Sequence, residues 1–475
     1  MNIIRYNSLR WVNPFAQPLL SFVKDAYSVK NNSELRNYLR NKKLILSKYN
    51  IVRFFDDNRT VIYNTLYDSI VMLEEKETAQ FKVFETLTCD SSLICILYRL
   101  GILITDIEDE ALVMKIQNEE LIYNRKGVPS ITILPTQVCN ARCQYCFASH
   151  NTGGTMTMET VEQLINFLAE HFHEGDSVLF RWFGGEPLLA PKIIDGIIDG
   201  VSDAFHGKLQ YSSLMFTNGS MLNDDLIAHA KDKWHMEKIQ LTIDGYAIEH
   251  NRRKSYFDQS FDYYHKIIQD IEKLLNVGIK VDCRVNLDKD NIKQLDDICR
   301  DLLPYRLYPG FRARFTILRP TDCGFSRFNF IKSDDLEWAY SIIYSKLMEY
   351  GFIKHIVDLI PKRQQESCIA KSINKMIIGS DGKLYKCLQQ VFDEESTIGD
   401  LRNGIDLKRC MSYCRLELHE ECKECVYLPL CSGGCSVYWN LSKREAVSPC
   451  IREKYFIDML MKALHRNNIN GSCDI

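Results

Sequence analysis

The sequence has no apolar run that approaches the ~18 residues of a membrane-spanning helix. It also has little charge imbalance, with a formal net charge of −3 over 475 residues, so nothing points to nucleic acid or an anionic membrane as a partner. The first segment, MNIIRYNSLRWVNPF, lacks the compact apolar region and the small-residue cleavage site of a signal peptide. There is no internal repeat and no low-complexity tract. We therefore expect a cytoplasmic globular protein with no membrane and no nucleic-acid partner.

Cysteine, in contrast, is abundant, with 18 residues. A reducing cytosol disfavours disulfides, so metal binding or catalysis is the more common use of clustered cysteines there. Residues 1–128 contain no cysteine spacing of the metal-binding type. Five isolated cysteines are interpreted as small buried hydrophobes or incidental thiols, namely Cys89, Cys95, Cys283, Cys299 and Cys473.

Three clustered cysteines, Cys139, Cys143 and Cys146, lie in the segment TQVCNARCQYCF. Their CxxxCxxC spacing puts three thiolates on one short loop. A [4Fe–4S] cluster in ordinary ferredoxins takes four cysteine ligands. A cluster held by these three would therefore keep one iron open for a ligand that is not protein. The alternative is a structural zinc site with His150 as its fourth ligand.

Strands and helices are predicted to alternate between residues 129 and 350, with amphipathic helical segments such as 158–172 and 261–278. The predicted strands are 130–134, 178–183, 211–216, 238–243, 279–286 and 313–318. Alternation of helices with mostly apolar strands predicts a parallel sheet. Six such units predict an α/β fold of the partial (β/α)6 TIM-like barrel type, in which ligands bind at the carboxyl ends of the strands.

Short polar motifs follow these strands at that end. The second strand is followed by Gly184–Pro187, the third by residues 217–219 and the fourth by residues 242–245, while the fifth ends at residues 284–286. We interpret the two glycines as allowing the backbone to approach a ligand closely, and Glu186 as an acceptor for an ammonium group.

Together these motifs resemble those of the radical SAM superfamily, in particular of members with a C-terminal SPASM domain. Tyr145 is the aromatic residue that precedes the third cysteine in that signature. The resemblance implies a [4Fe–4S] cluster on the three cysteines, reductive cleavage of S-adenosylmethionine (SAM) to a 5′-deoxyadenosyl radical, and a reductant such as flavodoxin or ferredoxin. It implies that SAM contacts Gly184, Gly185, Glu186, Asn218, Thr242, Arg284 and Tyr145.

The family pattern SxDGxxxxHDxxxR is only partly kept after the fourth strand. Thr242 keeps the hydroxyl of the serine, and His250 is present. Asn251 and Lys254 replace the aspartate and the arginine. The family role of this segment is therefore not carried over to this chain.

Seven cysteines after residue 350 form a second pattern, C-x13-G-x4-C with Gly382, then C-x2-C-x5-C-x3-C, then one more. They are Cys368, Cys387, Cys422, Cys425, Cys431, Cys435 and Cys450. A zinc ribbon of Cys422, Cys425, Cys431 and Cys435 would leave the other three unexplained. The pattern resembles that of SPASM domains.

The SPASM resemblance implies two auxiliary clusters and therefore three [4Fe–4S] clusters in all. The distal cluster would take Cys422, Cys425, Cys431 and Cys450, and the proximal one Cys368, Cys387 and Cys435. Lys362 stands where sulfatase maturases have an eighth cysteine. The proximal cluster then keeps an open iron or recruits a ligand such as Cys323, Cys410 or Cys414.

The resemblance favours an enzyme that modifies a ribosomally made precursor peptide by forming a thioether or carbon–carbon crosslink. A formylglycine-forming sulfatase maturase is the alternative, although Leu388 stands where those enzymes have an aspartate as base. A non-catalytic iron–sulfur electron carrier and a SAM enzyme acting on a small molecule are further alternatives. Residues near the cluster cysteines do not single out a general acid or base among Asp381, Tyr385, Asp393 and Glu394.

Three domains are predicted, namely 1–128, 129–350 and a cysteine-rich iron–sulfur domain over 351–475. The first is predicted to be a small α+β, winged-helix-like module with a hairpin over 60–73 and a helix that ends at Gly101 and leads into a strand. Maturases of the peptide branch often bind the leader of their precursor with such a module by adding a strand. An inert structural cap is the alternative role.

Overall fold

The computed structural model describes residues 1–5, 32–87, 91–123, 127–148, 153–319, 329–363, 368–391, 393–414, 418–442 and 448–470. Cys89, His150, Cys323 and Cys473 lie outside the described residues. Within the described part of the chain, no helix is both long enough and apolar enough to cross a membrane.

The N-terminal region is an α+β module, as predicted. Its strands are β1 (Asn2–Arg5), β2 (Leu44–Leu46), β3 (Asn50–Phe54), β4 (Thr60–Asn64), β5 (Ser69–Leu73) and β6 (Leu103–Thr105), and its helices are α1 (Asn32–Leu39), α2 (Glu75–Lys82), α3 (Ser92–Arg99) and α4 (Glu110–Tyr123). The predicted hairpin is the antiparallel pair β4–β5. The predicted helix before Gly101 is α3, and it leads into β6. The main sheet has the order β1-β5-β4-β3, and β2 pairs separately with β6.

The central region contains the six predicted strands, each parallel to its neighbour. They are β7 (Ser130–Thr136), β8 (Ser177–Gly184), β9 (Gln210–Thr217), β10 (Met236–Ile243), β11 (Lys280–Leu287) and β12 (Phe311–Ile317). The helices are α5 (Met158–His171), α6 (Pro191–Ala204), α7 (Asp224–Asp232), α8 (Ala247–Lys254), α9 (Tyr263–Asn276), α10 (Leu295–Leu302) and α11 (Leu336–Glu349). Neighbouring strands are adjacent in chain order, so the predicted α/β barrel architecture is confirmed.

The alternation of side chains along the strands explains why helices cover one face only. In β8, Val178, Phe180 and Trp182 are buried, whereas Arg181 and Phe183 on the opposite face are only half-buried. Helix α5 begins at the cap Thr157, whose hydroxyl accepts the backbone N–H of Thr160. The buried apolar side chains of β8 thus form the outer face, which the helices cover. The inner face keeps room for polar residues and a ligand.

The C-terminal region is partly built into the same sheet. Strand β13 (Lys375–Ile378) pairs in parallel with β7, and β14 (Leu384–Tyr385) pairs antiparallel with β13, which gives the order β12-β11-β10-β9-β8-β7-β13-β14. The other elements are β15 (Gly399–Asp400), β16 (Gly404–Ile405), α12 (Leu407–Cys414), α13 (Glu420–Lys423), α14 (Leu428–Cys431), α15 (Ser436–Ser442) and α16 (Ile457–Asn470). This extra pairing was not predicted, and it joins the predicted second and third domains through one sheet.

Candidate active site

The three-cysteine loop follows β7 at the carboxyl end of the sheet, as predicted. Its thiols are free, and each cysteine is half-buried. The backbone N–H of Arg142 donates to the carbonyl of Lys254 at 2.8 Å, which ties the loop to the end of α8. Burial raises the pKa of the Cys143 thiol to about 12. A thiolate at this position therefore requires a compensating positive charge, which a metal centre provides.

The glycines of the Gly184–Pro187 segment pack against the strand that leads into this loop. A Cβ built on Gly184 would lie 2.1 Å from the carbonyl oxygen of Thr136, and one on Gly185 would lie 2.3 Å from that of Gln137. The N–H of Gly185 donates to Thr136 at 3.1 Å, and that of Glu186 donates to Val138 at 2.9 Å. The close approach that these glycines permit is therefore an approach to protein backbone, which differs from our interpretation of a ligand approach.

Glu186 is fully buried and joins three segments of the site. Its Oε1 accepts hydrogen bonds from the Thr217 hydroxyl at 2.6 Å and from the N–H of Leu188 at 3.1 Å, and its Oε2 accepts from the N–H of Asn218 at 2.8 Å. Burial raises the pKa of this carboxyl group, and these hydrogen bonds oppose the rise. The Asn218 side chain donates in turn to Asn140 in the cysteine loop at 2.9 Å.

A buried polar network lies beside the loop, and it contains Lys254, one of the residues that depart from the family pattern. The Lys254 ammonium donates to Thr242 Oγ1 at 2.7 Å and lies 3.2 Å from Asp244 Oδ2. The Tyr145 hydroxyl donates to the same carboxylate oxygen at 2.6 Å. The side-chain amide of Asn286 donates to Asp244 Oδ1 at 2.8 Å. Burial opposes ionisation of Asp244, but the Lys254 charge and the hydrogen bonds from Tyr145 and Asn286 act together against it, so the pKa of Asp244 is lowered.

Two neighbouring cations of this site are also buried. Burial lowers the pKa of Lys254, but the attractions of Asp244 and of the nearby Cys143 and Cys139 together raise it above its usual value. Arg253 forms two hydrogen bonds to Asp288, at 2.6 and 2.9 Å, and both of those side chains are buried. The departures from the family pattern put the role of the segment after the fourth strand in doubt. In the structure, however, Lys254 of this segment contacts Tyr145 and Thr242, which are both predicted to contact SAM.

Arg284 lies on the inner face of β11, close to the same network. Its Nε donates to Asn286 Oδ1 at 2.9 Å, which is its one hydrogen bond within the described residues. Burial, followed by the repulsion of Arg314, lowers the pKa of Arg284. Arg314 is itself neutralised by Asp282 at 2.8 Å. Arg284 therefore presents its terminal N–H groups to the barrel interior, and this donor set suits a carboxylate.

Two adjacent cavities contain the C-terminal cysteines. The larger, about 210 Å³, is lined by Cys368, Cys387 and Cys435, and the smaller, about 40 Å³, by Cys422 and Cys425. Cys431 and Cys450 line both cavities and form part of the wall between them. The smaller cavity is thus lined by the four cysteines of the predicted distal set, and the larger by the three of the predicted proximal set together with Cys431 and Cys450. A zinc ribbon that combines Cys435 with Cys422 and Cys425 does not fit this arrangement.

The other residues considered from the sequence lie elsewhere. Cys410 and Cys414 are on α12 and line neither cavity, so neither is placed as a ligand of the larger one. Glu394 pairs with Lys383, and Asp393 caps a short 3-10 turn. In the described residues, no three His, Cys, Asp or Glu side chains converge closely enough to hold a single metal ion.

Sequence reasoning missed several residues of these sites. Lys371 lines the larger cavity and donates to the carbonyls of Ser432 and Gly434 at 2.7 and 3.1 Å. Arg319 and Asn118 also line it. None of the three belongs to a motif, because they reach the cavity from segments that are distant in the chain.

The comparisons agree with this geometry. Residues 133–302 match the Radical SAM superfamily. A cysteine-type anaerobic sulfatase-maturating enzyme of Clostridium novyi (strain NT) is 22% identical over 334 residues, which cover 62% of this chain and 84% of that enzyme. A GTP 3′,8-cyclase of Campylobacter curvus (strain 525.92) is 25% identical over 316 residues, which cover 62% of this chain and 91% of the cyclase.

The fold is also found among solved structures. Native anSMEcpe with bound AdoMet and Cp18Cys peptide superposes with a TM-score of 0.57 at 18% identity, over 72% of this chain and 100% of that one. A radical SAM domain implies a [4Fe–4S] cluster and SAM, and the three thiols, the buried Glu186 and the Arg284 fork fit both. The chain therefore contains a radical SAM domain, matched over residues 133–302, and the protein is an enzyme.

Proposed function

We propose that this enzyme is a peptide maturase of the ribosomal-peptide type. It takes a hydrogen atom from a precursor peptide and installs a thioether or carbon–carbon crosslink. The observation that supports this most directly is a strand edge, that of β3, which has no partner among the described residues and lies beside a basic groove. The two cysteine cavities support a C-terminal SPASM domain with two auxiliary clusters, which makes three [4Fe–4S] clusters in all.

The barrel residues would position the reactants. A reduced cluster with bound SAM supplies one-electron cleavage of the sulfonium and a 5′-deoxyadenosyl radical. Arg284 would donate its terminal N–H groups to the SAM carboxylate. Glu186 Oε2 accepts one hydrogen bond from the protein, so it keeps an acceptor position for the SAM amine. The Lys254–Asp244–Tyr145 network would hold the cysteine loop against α8.

The N-terminal sheet has one edge that suits an added peptide strand. The β5 edge is covered by β1, and Arg5 fixes β1 through Asp68 at 2.5 Å and the carbonyls of Ile360 and Pro361, each at 2.9 Å. At the opposite edge, β3 pairs only with β4 in the described part of the chain. A leader peptide that adds a strand would therefore pair with β3.

The groove beside β3 indicates the chemistry of that peptide. It encloses about 330 Å³ between the end of β3 and α16, and it is lined by Arg53, Phe54, Phe55, Asp56, Lys462, His465 and Arg466. Phe54 is half exposed, and basic side chains outnumber acidic ones in the lining. Arg53 and Lys462 share a single carboxylate, that of Asp458. The groove therefore suits an acidic leader segment with an apolar residue among its charges.

Charge reversal tests the leader site. The probe is a fluorescent acidic peptide with one apolar residue among its charges, and its binding is followed by anisotropy. Lys462→Glu/Arg466→Glu should weaken binding at least about tenfold, equal to about 1.4 kcal/mol, and less at high salt because exposed charges are screened. Lys208→Glu, on a surface residue that pairs with Glu174, is the matched control. Equal affinities for both variants would favour the inert-cap role.

Product analysis tests the reaction. The reconstituted, reduced enzyme should form 5′-deoxyadenosine with SAM and the precursor, together with a peptide crosslink seen by tandem mass spectrometry. Cys139→Ala/Cys143→Ala/Cys146→Ala should form neither product. An aldehyde that reacts with a hydrazine reagent would instead indicate formylglycine, although Leu388 offers no base. No 5′-deoxyadenosine with peptide or nucleotide substrates would favour an electron carrier.

A further inference from the structure

The N-terminal module reaches into the larger cysteine cavity through one helix. Asn118 and Ile122 of α4 line this cavity together with Cys368, Cys387 and Cys435. Met114, one turn earlier on α4, belongs to the apolar cluster that joins Tyr49 of the N-terminal module to Leu428 of α14. Helix α4 is thus fixed between the two regions, and Asn118 has little freedom to move away from the cavity.

Asn118 has one amide group whose partner is missing. The side chain is 2% exposed, and its Oδ1 accepts a hydrogen bond from the Ser432 hydroxyl at 3.0 Å. Its Nδ2 has no acceptor within hydrogen-bonding distance among the described residues. A buried N–H without a partner costs free energy, and buried amides in native proteins are nearly always paired. The orphaned donor therefore indicates an acceptor that occupies the cavity.

The surroundings of the cavity indicate the charge of that acceptor. Lys371 lines the cavity, and its ammonium group is held there by hydrogen bonds to the carbonyls of Ser432 and Gly434. Arg319 lines it from the end of the barrel, and its guanidinium lies 4.1 Å from the ring centre of Tyr438. Two cations, one amide donor and several thiols favour an anionic sulfur species.

We propose that Asn118 is a positioning residue of the proximal auxiliary site and donates its Nδ2–H to an anionic sulfur. This inference rests on the proposed function, which places an auxiliary cluster on Cys368, Cys387 and Cys435. The sulfur has two possible sources, a sulfur of the cluster itself or a substrate thiolate at the corner that these three cysteines leave open. Through this bond the N-terminal module contributes a contact to the iron–sulfur region.

Two substitutions isolate the missing donor. Asn118→Asp keeps the shape and the Oδ1 acceptor for Ser432 but replaces the donor with an oxygen. Asn118→Leu removes both functions. Ser432→Ala is the matched control, because it removes the contact between Ser432 and Asn118 Oδ1 and leaves the free Nδ2–H in place. The readouts are iron per chain and the reduction potential of each cluster, followed by EPR-monitored titration with and without free L-cysteine.

If the acceptor is a sulfur of the cluster, both Asn118 variants keep their iron, and one auxiliary potential becomes more negative without any added thiol. The reason is that a hydrogen bond to sulfur stabilises the reduced cluster. If the acceptor is a substrate thiolate, the potential without thiol is unchanged, and L-cysteine perturbs the wild-type EPR signal at concentrations at least tenfold lower than in either variant. Ser432→Ala should match the wild type in both cases.

Unchanged potentials and unchanged L-cysteine dependence in iron-replete Asn118→Asp would overturn the inference. If Asn118→Leu fails to keep its clusters, the isosteric Asn118→Asp decides alone. A wild-type protein that binds only about four irons, one cluster, would contradict the auxiliary sites and hence the proposed function before the variants are compared.

Discussion

Gly185→Ala tests whether the glycine pair serves protein packing or ligand approach. A Cβ at this position would lie 2.3 Å from the carbonyl oxygen of Gln137 and 2.4 Å from that of Val138. Both oxygens belong to the backbone that leads into the cysteine loop, so neither can rotate away as a side chain would. The substitution must push the loop and the segment after β8 apart, and it weakens the hydrogen bonds that Gly185 and Glu186 donate to residues 136–138.

Overpacking of this kind costs about 1–3 kcal/mol. Gly154→Ala is the matched control, because Gly154 accepts a hydrogen bond from the N–H of Gln137 and a Cβ there would meet nothing within 4 Å. An unobstructed Gly→Ala change stabilises by roughly 0.4–1 kcal/mol through the unfolded state. The free energies of unfolding of the two variants should therefore differ by about 1–4 kcal/mol.

The assay is urea unfolding of the metal-free proteins, followed by the fluorescence of the buried barrel residues Trp182 and Trp234. Metal-free protein is used because a ligand would add its own stabilisation. We expect a lower unfolding midpoint for Gly185→Ala and an equal or higher one for Gly154→Ala. Equal midpoints together with a loss of SAM affinity confined to Gly185→Ala would refute the packing role and restore the ligand-approach interpretation.

Three further variants probe the polar network. Lys254→Met should lower the free energy of unfolding by about 3–5 kcal/mol, because it leaves the buried Asp244 carboxylate without its cation; urea unfolding at neutral pH measures this. Asp288→Asn should lower the free energy of unfolding by about 3 kcal/mol in the same assay, since Arg253 loses its buried partner. Burial lowers the pKa of His250 from 6.5 to about 3. The free energy of unfolding therefore falls as the pH drops below 6.5, and the loss is about 1.4 kcal/mol at one pH unit below 6.5. His250→Asn should remove that slope, and an unchanged slope would contradict the assignment.

The sequence predicted the barrel well because each parallel strand is marked locally. The apolar runs of β7 to β11 each end in a polar motif, and the six observed strands differ from the predicted ones by at most two residues at either end. The C-terminal cysteines that the spacing pattern grouped likewise line two adjacent cavities. These features depend on residues that are close in the chain, and local patterns are what sequence reasoning interprets best.

The remaining features depend on long-range contacts. Strand β13 has only four residues in a cysteine-rich region, and its pairing with β7 has no local signal. The role of Gly185 follows from the carbonyls that its Cβ would meet, and the position of Lys254 follows from the end of α8. Asn118 is one polar residue in a helix, and only the folded chain brings it to Cys368 and Cys387.

Iron, sulfide and zinc per chain after anaerobic reconstitution test the central claim most directly. Wild-type protein should bind about twelve irons, four for each of three clusters, and Cys139→Ala/Cys143→Ala/Cys146→Ala should bind about eight. Cys422→Ala/Cys425→Ala is the matched variant for the smaller cavity, and it should also lose about four. Stoichiometric zinc with little iron, or an iron content that the triple substitution leaves unchanged, would contradict the account.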